Sequence, residues 1–207
     1  MKVKICGICS QDGYDAAADA GAAYAGFVFF PPSPRFLPPE AAGALNRPVG
    51  PTRIGLFVDP TDAEIAAAIE PAALDILQIY ASAERAADLR VRFGLPVWHA
   101  IGVATAADLP HAAPGVDQLL LDAKAPHDAV LPGGNAHSFD WTILRGWTPP
   151  APWLLAGGLT PDNVADAVRL SGATAVDVSS GVERGRGIKD PALIRAFVVA
   201  ATASPSP

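Results

Sequence analysis

The chain has 207 residues, of which 50% are hydrophobic and 17% charged, enough apolar material for the core of a single domain. Its net charge of −6 comes without a basic cluster, so a nucleic-acid-binding surface is not expected. No apolar run approaches the roughly 18 residues of a membrane span, and the first residues lack the pattern of a secretory signal, which predicts a cytoplasmic protein without a membrane partner.

Short apolar segments alternate with Ala-rich segments along the chain. Eight of the apolar segments predict β-strands, at residues 3–6, 24–29, 53–58, 75–79, 96–101, 118–121, 153–156 and 175–178. Strand–helix units of about 26 residues match the lower size limit of a (β/α)₈ barrel. We therefore predict an α/β fold, a single-domain TIM barrel over residues 1–201 with a flexible tail at 202–207. A doubly wound open sheet is the alternative, although its usual G-x-G-x-x-G turn is missing.

Helix-start and helix-stop signals separate the predicted strands. A capping box begins at Thr61, and Thr160-Pro161 predicts a second helix start. Gly94 and Gly172 follow helical segments, as C-cap glycines do.

The chemistry of a TIM barrel lies at the C-terminal ends of its strands, and Cys6 ends the first strand. Its thiol needs nearby positive charge to act as a base; a small apolar filler is the alternative. Cys9 completes a C-x-x-C pattern, but the four histidines are too far apart to complete a zinc site, so no metal is predicted. Lys4 and Asp177 have inward parity on strands that adjoin when the barrel closes, which predicts an internal ion pair.

Two charged residues follow the second and sixth strands. Arg35 ends a stiff Pro-rich loop, and its guanidinium suits a carboxylate or a phosphate; a solvated surface arginine is the alternative. Asp122 follows a buried apolar strand, where burial raises the pKa of a carboxyl group and suits a general acid. A helix cap or a loop ion pair is the alternative for Asp122.

Small residues follow the seventh and eighth strands. Gly157 and Gly158 form one turn, and Ser180 and Gly181 form the other. Exposed backbone N–H groups in two such turns can bind an anion, and TIM barrels commonly bind phosphate at these loops. Two ordinary tight turns are the alternative.

Six motifs then run in order through nearly the whole chain. They are Lys4-Ile5-Cys6-Gly7, Gly26-Phe27-Val28-Phe29 with Ser33-Pro34-Arg35, Leu121-Asp122, Phe139-Asp140-Trp141, Leu155-Ala156-Gly157-Gly158-Leu159 and Val176-Asp177-Val178-Ser179-Ser180-Gly181-Val182-Glu183. Together they closely resemble the phosphoribosylanthranilate isomerase family. The resemblance implies an aldose–ketose isomerase of tryptophan biosynthesis, which needs neither a metal nor an organic cofactor. Its Amadori rearrangement turns N-(5-phosphoribosyl)anthranilate into 1-(2-carboxyphenylamino)-1-deoxyribulose 5-phosphate.

The resemblance also implies a role for each candidate residue. Asp122 would be the general acid that protonates the ribose ring oxygen, and Cys6 the base that removes the C2′ proton. Arg35 would hold the anthranilate carboxylate, and the two small-residue turns the phosphate. The implied partner is a small-molecule phosphoribosyl substrate, and association with other tryptophan-pathway enzymes is left open.

The sequence departs from the usual family pattern at four positions. Tyr80 stands where a His is usual, and its hydroxyl offers a substitute. Ala136 replaces a usual Gly in a loop near the acid, and Arg186 replaces a common Pro. Cys9 replaces a usual Thr, which predicts that oxidation joins it to Cys6 and reversibly switches the base off.

Two other functions fit parts of the sequence. A different sugar-phosphate barrel, such as an epimerase or an indole-glycerol-phosphate synthase, shares the phosphate turns but requires metal ligands or a Lys–Glu set at other strand ends. A non-catalytic sugar-phosphate binder is favoured by the departures at Tyr80 and Ala136. The presence of Cys6, Asp122 and Arg35 together argues against it.

Overall fold

The computed structural model describes residues 1–125 and 138–203, and its main strands close into a parallel eight-stranded barrel. The strands are β1 (Lys2–Cys6), β2 (Tyr24–Val28), β3 (Thr52–Val58), β4 (Ile76–Tyr80), β5 (Val97–Val103), β6 (Gln118–Ala123), β7 (Trp153–Leu155) and β8 (Ala175–Val178). They pair in chain order, and β1 closes the barrel against β8, with Lys4 opposite Asp177. The predicted TIM barrel is confirmed, and the open-sheet alternative is wrong because β1 and β8 leave no free edge.

Helices alternate with the strands. They are α1 (Gln11–Asp19), α2 (Pro39–Ala44), α3 (Asp62–Ile69), α4 (Ala83–Phe93), α5 (Val164–Ser171) and α6 (Pro191–Ala203). After β5 and β6 the described residues form 3₁₀ turns at Ala106–Asp108 and Trp141–Leu144, and a hairpin of β9 (Glu183–Gly185) and β10 (Ile188–Lys189) follows β8. The predicted capping box at Thr61 is confirmed, as are the left-handed C-caps Gly94 and Gly172.

The predicted helix start at Thr160 is wrong, because α5 begins only at Val164. The side chain of Asn163 accepts a hydrogen bond from the Thr160 N–H at 2.8 Å and donates one to the Gly158 carbonyl at 2.9 Å. The Thr160 carbonyl accepts from the Asn163 N–H at 3.3 Å and from the Val164 N–H at 3.1 Å. The residues before α5 are therefore held in a turn.

The last helix continues past the predicted end of the barrel domain. α6 ends at Ala203, so the predicted tail, residues 202–207, starts inside this helix. Residues 204–207 and the departure at Ala136 lie outside the described residues.

The size of the side chains inside the barrel positions the site. Ile54, Trp98 and Leu154 fill the interior towards the N-terminal ends of the strands. Nearer the C-terminal ends the buried side chains include the small residues Ala100 and Ala156. A larger apolar layer packs the outer faces of the strands against the helices. The interior is therefore solid at one end and leaves space at the end where the chemistry of this fold lies.

Candidate active site

A cavity opens at the C-terminal end of the barrel and gathers most of the predicted site residues. Its lining residues are Cys6, Val28, Phe30, Ser33, Arg35, Leu56, Val58, Tyr80, Asp122, Ala156, Gly157, Gly158, Leu159, Asp177, Val178, Ser179 and Ser180. Of the predicted residues, Gly181 alone lies outside this lining, next to Ser180. Cys6 and Asp122 come from β1 and β6, which are three strands apart around the barrel, so they face one shared space.

Cys6 is next to a buried ion pair. Lys4 is fully buried, and its Nζ donates to Asp177 Oδ1 at 2.9 Å, which confirms the predicted pair. Gly26 on β2 makes room for this arrangement, since a Cβ there would lie 3.1 Å from both Cys6 Sγ and Lys4 Cε. Lys4 thus brings positive charge close to the thiol.

The charges around Cys6 act in opposite directions. Burial raises the pKa of the Cys6 thiol, the positive charge of Lys4 opposes that rise, and the negative charge of Asp177 adds to it. Burial alone would lower the pKa of Lys4, but the charge and hydrogen bond of Asp177 raise it above its usual value. Lys4 therefore stays charged, while Cys6 rests as a thiol near neutral pH.

Asp122 is held by two hydrogen bonds at the end of β6. Its Oδ2 accepts from the Tyr80 hydroxyl at 2.9 Å, and its Oδ1 accepts from the Ala123 N–H at 2.8 Å. Burial raises the pKa of Asp122 to about 7, although the bond from Tyr80 opposes the rise. A carboxyl group that is half protonated near neutral pH suits a general acid.

Arg35 is buried at the cavity wall and binds Glu183 with two hydrogen bonds. Its Nε and Nη2 donate to the two carboxylate oxygens at 2.7 and 3.0 Å. Lys189 Nζ donates to the same carboxylate at 2.7 Å. Burial alone would raise the pKa of Glu183, but Arg35 and Lys189 hold it below its usual value. The surface-arginine alternative is wrong, and the pair leaves Nη1 of Arg35 unused by Glu183.

Sequence reasoning did not single out Glu183 and Lys189, which form one hydrogen-bonded group with Arg35. Both belong to the hairpin that follows β8, and Lys189 also donates to the Ser179 carbonyl at 3.0 Å. Their position after a barrel strand was the available signal.

The two small-residue turns pack closely against their surroundings. Gly157 has a φ of +89°, and a Cβ there would lie 2.5 Å from the Ala123 nitrogen. A Cβ at Gly181 would overlap the Leu159 carbonyl oxygen. Only glycine fits such close approaches, so the turns hold each other and the end of β6 in place. The Thr160 N–H already donates to Asn163 Oδ1, so it is not available to an anion.

Three further expectations concern a disulfide, a metal site and a membrane-spanning segment. Both cysteines are free thiols, and Cys9 Sγ donates to the Arg35 carbonyl at 3.3 Å, so a Cys6–Cys9 disulfide stays a prediction. Within residues 1–125 and 138–203, no group of three or more His, Cys, Asp or Glu side chains could hold a metal ion. None of the helices in those ranges is long and apolar enough to cross a membrane.

Comparisons with known proteins agree with one another. A sequence model of the N-(5'-phosphoribosyl)anthranilate (PRA) isomerase family matches residues 3–200. The N-(5'-phosphoribosyl)anthranilate isomerase of Acidiphilium cryptum is 55% identical over 203 residues, which cover 98% of this chain and 99% of that one. The crystal structure of phosphoribosyl anthranilate isomerase from Thermotoga maritima is 32% identical, with a TM-score of 0.86 and 98% of each chain covered. A crystal structure of phosphoribosyl anthranilate isomerase in complex with reduced 1-(o-carboxyphenylamino)-1-deoxyribulose 5-phosphate is 30% identical. Its TM-score is 0.83, and 98% of each chain is covered.

Proposed function

Because this chain belongs to the N-(5'-phosphoribosyl)anthranilate isomerase family, we propose that Cys6 and Asp122 carry out the family's reaction across the cavity. The activity is an intramolecular isomerisation, the Amadori rearrangement of N-(5'-phosphoribosyl)anthranilate in tryptophan biosynthesis. The observation that carries the residue roles is that an acid with a pKa of about 7 and a thiol beside a buried lysine line one cavity.

Asp122 acts first, as the general acid. Its carboxyl proton passes to the ribose ring oxygen, the bond from C1′ to that oxygen breaks, and the lone pair of the anthranilate nitrogen forms the iminium. Asp122 is left as a carboxylate, which the Tyr80 hydroxyl and the Ala123 N–H stabilise by hydrogen bonds.

Cys6 acts second, as the base. Its thiolate takes the C2′ proton, and the electrons of that bond form the C1′–C2′ double bond of an enolamine as the iminium nitrogen becomes neutral. The enolamine gains a proton at C1′ and loses the C2′ hydroxyl proton, which gives the ketone. Lys4 assists because its buried positive charge stabilises the thiolate.

The two ends of the substrate are anionic, and the cavity offers a site for each. The turns at Gly157-Gly158 and Ser180-Gly181 bind the phosphate through backbone N–H groups. Arg35 binds the anthranilate carboxylate through the guanidinium edge that Glu183 leaves unused. Lys189 supports both sites, since Arg35, Lys189 and Glu183 together carry a net positive charge.

We also propose a cytoplasmic location, because a base thiol must stay reduced and the cytosol keeps thiols in that state. Residues 1–201 form the proposed barrel domain, and the last buried side chain of α6 is Ala201. Association with other tryptophan-pathway enzymes stays a prediction.

The test is turnover of freshly made N-(5'-phosphoribosyl)anthranilate, followed by its fluorescence. We expect the wild-type protein to consume the substrate, and Cys6→Ser and Asp122→Asn each to lower kcat by about 10²–10⁴-fold. Cys9→Ser is the matched control for the thiol, since Cys9 does not line the cavity, and its kcat should be unchanged. Binding of the substrate without turnover by the wild type would indicate a non-catalytic binder. Full activity of either cavity variant would contradict the role proposed for that residue.

A further inference from the structure

Tyr80 connects the two sides of the cavity. Tyr80 lies at the C-terminal end of β4 and packs against two buried clusters, one of Cys6, Val28 and Leu56 and the other of Ala100, Leu120 and Ala156. These contacts fix the position of the ring. Its hydroxyl then reaches Asp122 Oδ2 at 2.9 Å.

The carboxyl group of Asp122 receives one fixed donor on each oxygen. The Ala123 N–H is rigid because it belongs to the backbone of β6, and the Tyr80 hydroxyl is rigid because its ring is packed. Each oxygen keeps a second lone pair, which can carry the catalytic proton. Two donors on two oxygens leave the carboxyl plane little freedom to rotate.

We propose that Tyr80 is a positioning residue of the isomerisation, whose hydroxyl holds the Asp122 carboxyl group in the orientation from which it protonates the substrate. The inference rests on the proposed role of Asp122 as the acid. It also accounts for the tyrosine at a position where the family usually has a His, since the hydroxyl supplies a hydrogen-bond donor.

The electrostatics support the same role. Four titratable groups face Asp122 across the barrel interior, namely Tyr80 from β4, Asp177 from β8, and Lys4 and Cys6 from β1. Burial and the charge of Asp177 raise the pKa of Asp122, whereas the bond from Tyr80 and the charge of Lys4 lower it. Burial and the neighbouring Asp122 raise the pKa of Tyr80 well above its usual value, so its hydroxyl keeps its proton and stays a donor.

The test compares Tyr80→Phe with Tyr80→His and Tyr24→Phe in two measurements. The first is the pKa of the Asp122 carboxyl group, from ¹³C NMR of labelled protein with Asp122→Asn used for assignment. The second is kcat of Tyr80→Phe at about pH 6, where the Asp122 carboxyl group is mostly protonated in this variant and in the wild type, so that a change reports orientation. Tyr24→Phe is the matched control, because Tyr24 begins β2 at the opposite end of the barrel and packs on Trp98.

In Tyr80→Phe we expect the pKa of Asp122 to rise by about one unit or more and kcat to fall roughly 10- to 100-fold, with KM little changed. Tyr80→His, whose imidazole N–H can donate, should reverse the rise in the pKa of Asp122. Tyr24→Phe should change neither. Phe keeps the ring packing, and unchanged circular dichroism would show that the fold is intact.

An unchanged Asp122 pKa in Tyr80→Phe would overturn the inference, even if activity fell, because a merely structural role would produce that result. An unchanged kcat at about pH 6 would overturn it as well. Full activity of Asp122→Asn would instead overturn the proposed function. The NMR titration requires no turnover, so the two failures are distinguishable.

Discussion

In the proposed reaction, Asp122 must carry a proton and Cys6 must have lost one when the reaction starts. Burial raises both pKa values, that of Asp122 to about 7 and that of Cys6 above its usual value. At intermediate pH most molecules therefore hold the proton on Cys6 and not on Asp122. The form that reacts has a protonated Asp122 and a Cys6 thiolate, and it is a minor form. Its fraction is greatest at pH values between the two pKa values.

This order of pKa values predicts a bell-shaped profile of kcat/KM against pH. The rate should rise to a plateau as pH passes about 7, the lower titration, and fall only above about 8.5, beyond the usual pKa of a thiol. Steady-state kinetics from about pH 5 to about pH 10 would measure it. The Tyr80→Phe variant distinguishes Asp122 from the substrate phosphate, since it should move the lower limb to higher pH. A profile that is flat over this range would contradict the assignment.

Lys4 is buried with Asp177 as its partner and Cys6 beside it, so its removal should affect both stability and rate. Lys4→Met leaves a buried carboxylate unpaired, and we expect a loss of about 3–5 kcal/mol in the free energy of unfolding. The pKa of Cys6 should also rise, because the largest opposing charge is gone, and kcat should fall. Urea unfolding and steady-state kinetics measure the two effects.

The double variant Lys4→Met with Asp177→Leu separates the effect on stability from the effect on rate. Replacing both charged partners by apolar residues should recover much of the stability. The rate should stay low, because the positive charge beside Cys6 is still missing. Wild-type stability and wild-type kcat in Lys4→Met would show that the pair has neither role.

At the scale of elements, the turns after β7 and β8 are fixed by glycine. Gly181→Ala would drive a Cβ into the Leu159 carbonyl, so the two turns must separate. We expect KM to rise about tenfold or more, as one misplaced phosphate contact removes more than 1.4 kcal/mol of binding. Gly94→Ala is the control, because Gly94 also has a positive φ but has nothing within 4 Å of the added Cβ. It should cost about 1–2 kcal/mol of stability and leave KM unchanged. Equal KM values in both variants would contradict the proposed phosphate site.

Local sequence patterns predicted most helices and strands, because the interactions that start and end these elements are mostly between residues close in sequence. The capping box at Thr61 and the C-cap at Gly94 depend on neighbours within a few positions. The start of α5 was missed because the residues from Thr160 to Asn163 form a hydrogen-bonded turn, in which the Asn163 side chain bonds the Thr160 N–H and the Gly158 carbonyl. The propensity of a single residue does not reveal these hydrogen bonds.

Residues at the candidate site could be predicted where strand order and parity place them, as for the Lys4–Asp177 pair, and not where a side-chain pair depends on how the loops pack. Cys6 and Asp122 follow from the rule that strand ends meet at one face of the barrel. The pair of Arg35 with Glu183 joins residues 148 positions apart and depends on the hairpin after β8. The bond of Tyr80 to Asp122 joins residues 42 positions apart, and no local pattern indicates it.

For the molecule as a whole, closure of the barrel brings the residues of the proposed site together. The pairing of β1 with β8 brings the first strand beside the last, so Lys4 and Cys6 meet Asp177 and the turn after it. Neither strand end holds a complete site by itself. The cavity is thus assembled from residues at the start, middle and end of the chain.

A crystal structure of this protein with reduced 1-(o-carboxyphenylamino)-1-deoxyribulose 5-phosphate tests the placement most directly. We expect the phosphate at the turns after β7 and β8, the aromatic carboxylate at Arg35, and the sugar carbons between Cys6 Sγ and the Asp122 carboxyl group. A sugar chain that contacts only one of these two residues, or a ligand bound outside the cavity, would contradict the proposed division of acid and base.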